Sequence, residues 1–256
     1  MEDATVIRSK TNALLKRVGS AVAGKERGVV VLEGRRLVDD ALAAGWTMEA
    51  ILFEEGQEQR ANELLQAGLP VRLVQPELLG RVSGLRTSPG CLALAEQPSA
   101  RSLRELNTRD APRLLVIAGL QDPGNLGALA RSAEAAGFDA LVIVAGGARP
   151  FGSKALRGSM GSLLRLPVVL AESAEQVATH LKESGHRQVC AATRGGTDWR
   201  SFNWSAPLAI WVGGESGLEP DVMKDFEGVT ISMAGKVESL NITVATSLLL
   251  FSAGAN

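Results

Sequence analysis

The sequence predicts an α/β chain in two parts: a small N-terminal α/β layer domain and a larger domain built on a mostly parallel sheet. Three observations carry this expectation. Short apolar or β-branched runs alternate with helix-period segments along the whole chain, the pattern of layered α/β units. Beyond about residue 112 the strand runs are continuously apolar, as expected of strands covered on both faces. Between the two parts, "EQPSARSLRELNTRDAP" loses its apolar content except for Leu103 and Leu106 and carries prolines near both ends, which marks a boundary. The expected domains are therefore 1–96 and 112–256, with 97–111 as linker.

Taken in order, a first helix is expected from Ile7. In "GVVVLEGRRLVDDALAAGW" the run 29–32 reads as a strand that stops at Glu33-Gly34, and a helical apolar period then continues to Ala44. Strands at 48–53, 71–74 and 91–95, with a helix at 58–67, complete the first domain. The second opens with the buried strand "RLLVIAGL", a turn and helix in "DPGNLGALARSAEAAG", and the strand "ALVIVAG". A helix from about Lys154 follows, then a strand near 167–170 and a helix at 175–184. Strands at 188–192, 209–212 and 229–232 and a final helix from about Leu240 close the chain.

At 256 residues and 45% hydrophobic the chain can bury a real core, which excludes a disordered or fibrous protein. The net charge of −1 argues against a uniformly basic surface for gripping long duplexes. Charge is uneven, however: residues 1–36 hold eight Lys and Arg against four acids, so that end is positive. Cys91 and Cys190 lie in separate apolar strand runs, which fits buried thiols in a reducing compartment rather than a disulfide framework. There is no signal-peptide pattern, and no apolar run reaches the roughly 18 residues needed to span a bilayer, so a soluble, cytoplasmic protein is expected.

In open parallel sheets ligands bind outside the carboxyl ends of strands, and three loops there stand out. In "GLQDPGNLGALARSAEAAG", Asp122-Pro123-Gly124 turns the chain, Asn125 is suited to cap the next helix, and Arg131 falls about one and a half turns into it. In "WVGGESGLEP" a strand ends in glycines around Glu215 and Ser216, without the spacing of a dinucleotide fingerprint or a phosphate loop. In "MAGKVESLNITVATSLLLF", Ser239 reads as a helix N-cap with Asn241 near the helix start. The two histidines, His180 and His186, make no metal-ligand pattern with the distant cysteines, and Gly214-Glu215-Ser216-Gly217 is not a nucleophile elbow. No metal is expected.

Together the three loops resemble the motifs of the SpoU/TrmH family of RNA ribose 2′-O-methyltransferases, in the SPOUT superfamily. The first is matched by "DPGNLGALARSAEAAGFDALVIV", the second by "WVGGESGL" and the third by "MAGKVESLNITVATSLLLF", in that order across about 112–251. "KALRGSMGSLLRLPV" also looks like the family's helix-to-strand segment. "IRSKTN" and "VVVLEGRRLVDDALAAG" are similar to a substrate-binding domain often fused ahead of the catalytic unit and related to a ribosomal-protein fold that binds kinked RNA.

This resemblance implies a parallel-sheet domain with a C-terminal trefoil knot holding S-adenosyl-L-methionine, and a homodimer with each site completed across the interface. Carried over by position, Thr193, Gly213, Gly214, Ile231, Met233 and Leu240 would surround the cofactor. Asn125, Arg131, Glu215, Ser239 and Asn241 would form the methyl-transfer site. The RNA contacts would include Arg8, Lys10, Lys16, Arg35, Arg36 and Arg157, with Lys and Arg meeting phosphates. An Arg stays protonated at physiological pH, so orienting the ribose or a phosphate suits Arg131 better than acting as a base. Ser232 stands where the family usually has Pro. The implied substrate is ribosomal RNA ahead of transfer RNA. The rival readings are a noncatalytic RNA-binding or ribosome-assembly protein that kept the fold, and a generic nucleotide-binding α/β protein.

Overall fold

The computed structural model describes residues 4–99, 101–106, 112–192, 195–214 and 217–254. The chain divides into two compact units, Met1–Ser99 with Phe151–Leu156 and Ala100–Pro150 with Arg157–Asn256.

The first unit contains β1 (Val6–Ile7), α1 (Ala13–Val22), β2 (Val29–Glu33), α2 (Arg35–Ala43), β3 (Met48–Glu54), α3 (Glu58–Gln66), β4 (Val71–Val74), α4 (Pro76–Val82) and β5 (Cys91–Glu96). Its sheet has the order β1-β4-β3-β5-β2. Strand β5 runs antiparallel to both of its neighbours, while β1, β4 and β3 are mutually parallel. Two expectations are corrected. Ile7 begins no helix: it pairs with Val74 in a strand too short to show a period, and α1 starts only after Asn12, whose side chain accepts from Leu14 N and Leu15 N. Helix α4, opened by Pro76 at its first position, is a further element that so short a run concealed.

The second unit is built on a wholly parallel sheet. Along the chain come β6 (Arg113–Ala118), α5 (Pro123–Ala135), β7 (Ala140–Val144), α6 (Ser153–Ser159), α7 (Ser162–Arg165), β8 (Val168–Ala171) and α8 (Ala174–Glu183). Then follow β9 (Arg187–Ala191), β10 (Thr197–Asp198), β11 (Leu208–Val212), α9 (Pro220–Met223), β12 (Glu227–Thr230) and α10 (Ile242–Gly254). Among the described residues the strand order is β10-β12-β9-β11-β6-β7-β8. The continuously apolar runs form its centre: Leu114, Val116, Val142, Val169, Ala209 and Trp211 are buried in one cluster, with Phe226 4.9 Å from the Trp211 ring. Cys91 and Cys190 are both free and buried, and burial pushes the Cys91 thiol up to about 12.

One electrostatic clasp ties α5 to α7. Glu134 accepts from Ser162 Oγ at 2.6 Å and from Arg165 Nε and Nη2 at 2.6 and 2.8 Å, a bidentate pair. The Arg165 bonds hold the Glu134 carboxyl below its ordinary value of 4.5, against the opposing effect of partial burial. A depressed carboxylate stabilises the fold fully above its unfolded pKa and loses that contribution as pH falls through the folded value. Urea midpoints measured between pH 6 and 3 should therefore fall less steeply for Glu134→Gln than for the wild type; parallel profiles would remove the clasp from the acid response.

Candidate active site

Strand β6 is where the chain reverses direction across the sheet: β7 and β8 follow on one side, while β11, β9, β12 and β10 lie on the other. Open parallel sheets bind ligands at such a point, outside the carboxyl ends of the strands. Here the loops after β6 and β11 meet backbone to backbone. A Cβ on Gly214 would lie 2.4 Å from the Gly119 carbonyl oxygen, and one on Gly213 would lie 2.5 Å from the Gly217 carbonyl carbon. The loop after β7 joins them: Ala148 N donates to Leu120 O at 2.7 Å, and Gln121 Nε2 donates to both Gly119 O and Gly146 O. Gly119, Gln121 and the Gly146-Gly147 pair escaped the sequence reading, although glycine within two residues of the end of a buried strand is the signal that would have found Gly119 and Gly146.

The first loop feeds α5, capped by Asp122 rather than by Asn125. Asp122 Oδ1 accepts from Asn125 N at 2.8 Å, and Pro123 occupies the first helical position, so the cap lies three residues before Asn125. Arg131 consequently lies just over two turns in, deeper than expected. It is exposed and makes no hydrogen bond or ion pair among the described residues.

The third loop, 231–241, joins β12 to α10. Ser239 is exposed and is not the cap. The cap is Asn241, whose Oδ1 accepts from Thr243 N at 2.9 Å and Val244 N at 3.4 Å, so the helix begins at Ile242. Asn accepts these bonds two and three residues ahead, which leaves Ser239 too far upstream. Ile231, Met233 and Leu240 are half-buried along this loop.

Helices α5 and α10 lie side by side. Ser247 Oγ donates to Ser132 Oγ at 2.8 Å, and a Cβ on Gly254 would lie 2.0 Å from Ala136 O. The paired positions advance together, so the helices run in the same direction. Counting back from the serine pair at 1.5 Å per residue, Asn125 and Asn241 both lie about 9–11 Å toward the N-terminal ends. The two asparagines thus share one end of the helix pair, and side chains on a helix lean toward that end, Arg131 included. Two helix N-termini there favour negative charge.

Glu215 and Thr193 fall outside the described residues. The basic candidates are distributed over both units. In the first, Arg8 shares a cleft of about 450 Å³ with Arg72, while Lys10 and Lys16 share a groove of about 200 Å³ with Arg81. Arg72 and Arg81 were missed because each is a single cation in an apolar run. Arg35 and Arg36, at the start of α2, pair with Asp39 and Asp40 one turn on at 3.5 and 3.9 Å. Arg157 closes α6 in a half-buried position.

Comparison with known proteins places this geometry. Residues 112–251 match the SpoU rRNA Methylase family, a span that holds all three loops, α5 and most of α10. The chain belongs to the SpoU rRNA methylase family. Residues 23–93 match the MRM3-like substrate binding domain. Among relatives, the 23S rRNA (guanosine(2553)-2′-O)-methyltransferase RlmP of Bacillus subtilis is 29% identical over 250 residues, covering 96% of this chain and 97% of its own. Among solved structures, the AdoMet-bound rRNA methyltransferase of Sinorhizobium meliloti superposes with a TM-score of 0.87 at 26% identity, over 98% and 97% of the two chains. AviRb from Streptomyces viridochromogenes, in complex with AdoMet, gives 0.82 at 26% identity over 95% and 98%. The SpoU fold therefore accounts for the parallel sheet and for the meeting of the loops at its carboxyl edge.

Because Asn241 is a cap as well as a site candidate, its two roles separate by substitution. Asn241→Ala should cost about 1 kcal/mol of stability and also impair methyl transfer, whereas Asn241→Asp should keep the cap and show the effect on transfer alone. Equal melting temperatures for wild type and Asn241→Ala would dismiss the capping role.

Proposed function

We propose that the protein transfers a methyl group from S-adenosyl-L-methionine to a ribose 2′-hydroxyl of ribosomal RNA. The observation that carries this reading is the meeting of the first and second family loops at the β6–β11 reversal, where glycine backbone stands in place of side chains, next to the shared end of α5 and α10 to which the third family loop leads. That crevice fits the cofactor. Glycine at 213 and 214 lets this loop pack directly on the Gly217 and Gly119 backbone, and the half-buried Ile231, Met233 and Leu240 offer apolar surface to the adenosyl and aliphatic parts of the cofactor. Thr193 belongs to the same proposed set. When bound, the sulfonium supplies an activated methyl carbon, so the protein's task is alignment and exclusion of water.

In this reading the planar Arg131 guanidinium holds the ribose or an adjacent phosphate from α5. Asn125 and Asn241 orient the hydroxyl from the shared end of the two helices, with Glu215 and Ser239 completing the polar edge. Residues 1–96 form the RNA substrate-binding domain, 97–111 the linker and 112–256 the methyltransferase domain. Arg8, Lys10, Lys16, Arg35, Arg36 and Arg157 meet phosphates.

The segment after β12 threads through the preceding loops as a trefoil knot. In support, α10 starts after β12 yet lies against α5, so its path crosses the positions of β9 and β11. The active form is a homodimer. Val244 and Phe251, two turns apart on α10, are 50% and 53% exposed, an apolar face that a second copy would cover. The buried free thiols suit the cytoplasm.

The deciding experiment maps 2′-O-methylation in total RNA with and without the gene. Loss of one ribosomal RNA site establishes activity and target together. An unchanged map overturns the reading, and loss of a transfer RNA site reassigns the substrate.

A further inference from the structure

We propose that the turn at 198–201 is a substrate contact of this site, in which the Trp199–Arg200 pair stacks on an unpaired RNA base; the proposal rests on the RNA-methylating reading above. After β9 the chain returns to add β10 outside β12, pairing Thr197 with Val229 and Asp198 with Thr230. The return is tight: a Cβ on Gly196 would lie 2.6 Å from Gly228 O, and Gly196 N donates to Thr230 Oγ1 at 3.0 Å. Trp199 N then donates to Thr230 O at 3.1 Å. Trp199 is thereby fixed beside the start of the 231–241 loop, at the carboxyl edge of the sheet.

Asp198 organises the turn. Its Oδ1 accepts from Arg200 N at 2.9 Å, its carbonyl from Ser201 N at 3.0 Å, and its Oδ2 from Ser232 Oγ at 3.2 Å. The Ser232 hydroxyl therefore bonds the proposed cofactor loop directly to the Trp199–Arg200 turn. Trp204, buried, supports the turn by donating from Nε1 to Trp199 O at 3.0 Å.

The two arginines of this region differ in what they leave open. Arg187 lies 5.1 Å from the Phe202 ring centre, but its donors are engaged by both Glu227 oxygens and by Asn203 O, which makes it structural. Arg200 lies 4.8 Å from the Trp199 ring centre, its side chain is 67% exposed, and its one carboxylate neighbour among the described residues, Asp198, is 4.0 Å away. An exposed guanidinium over an indole presents a planar, cationic outer surface with unused donors. Unpaired RNA bases stack on such surfaces, and the donors suit the flanking phosphate. Trp199 Nε1 is buried without a partner among the described residues.

The test uses the full-length protein with protein-free ribosomal RNA transcript as probe. Trp199→Ala should raise the RNA dissociation constant and KM about 5- to 150-fold, the range for one lost base stack, with S-adenosylmethionine affinity and kcat at saturating RNA unchanged. Trp199→Phe, which keeps an aromatic face, should restore most of the affinity. Arg200→Ala should weaken binding and reduce its salt slope by about one. RNA should quench tryptophan emission in the wild type more than in Trp199→Phe.

Wild-type RNA affinity in both alanine variants, or a Trp199→Phe as impaired as Trp199→Ala, would overturn the proposal. If Trp199→Ala does not fold, Arg200→Ala, altered only at an exposed side chain, decides. If the wild type methylates no RNA, the functional reading fails, while the difference in quenching still decides whether the base stacks.

Discussion

Arg131→Ala is expected to lower the rate of methyl transfer by roughly 10²–10³-fold while leaving cofactor affinity and the fold in place. The magnitude is that of removing one preorganised donor from a reacting centre. The preservation of structure follows from position: Arg131 is exposed on α5 and makes no hydrogen bond or ion pair among the described residues, so truncation removes no internal contact of that kind. A change of stability within about 0.5 kcal/mol is ordinary for such a site. Arg131→Lys should recover little, since a point charge on a flexible stem does not reproduce the planar fork. Single-turnover rates with saturating cofactor and RNA, beside calorimetric titration of S-adenosylmethionine, make the distinction. A kcat within a few-fold of wild type would remove Arg131 from the transfer step, and a parallel loss of cofactor affinity would make it a binding residue instead.

The sequence made the second unit legible because its strands are buried on both faces. Runs such as "RLLVIA" and "ALVIV" admit little but a central strand, and glycine or a capping residue follows each where a helix must start. The same logic failed where elements were too short to have a period: β1 and β10 hold two residues each, and α9 four. Caps were misassigned by two or three positions for a related reason. "DPGN" and "ESLN" each offer two residues able to cap, and only the path of the backbone decides that Asp122 and Asn241 accept the bonds. The close pairing of α5 with α10 lay beyond the sequence altogether, because Ser132 and Ser247 are 115 residues apart and unremarkable in their own segments. The loops carried the motifs, whereas the reason they converge resides in a strand order that no local pattern encodes.

Gly214→Ala should damage both the fold and the site. Its new methyl carbon would sit 2.4 Å from Gly119 O and 3.0 Å from Gly119 C, and both atoms are backbone at the end of the β6–β11 ladder, whose last paired positions are Ile117 and Val212. No flexible side chain is present to yield, so either the ladder end opens or the 213–218 loop shifts. Overpacking of this kind costs about 1–3 kcal/mol, and for a chain of this size that lowers the melting temperature by about 2–12 °C. The larger consequence is at the site, because the displaced loop belongs to the proposed cofactor crevice; a loss of S-adenosylmethionine affinity of at least about 10-fold is expected for a displacement worth some 1.4 kcal/mol of binding. Gly185→Ala separates the two effects. Gly185 has φ of +82° with nothing within 4 Å of a Cβ, so alanine there strains only the backbone, by about 1–2 kcal/mol, after α8 and away from these loops. It should lower stability and leave cofactor binding untouched. Should both variants bind S-adenosylmethionine as the wild type does, the contact between Gly119 and Gly214 would be a packing detail of the sheet end rather than the wall of the cofactor site.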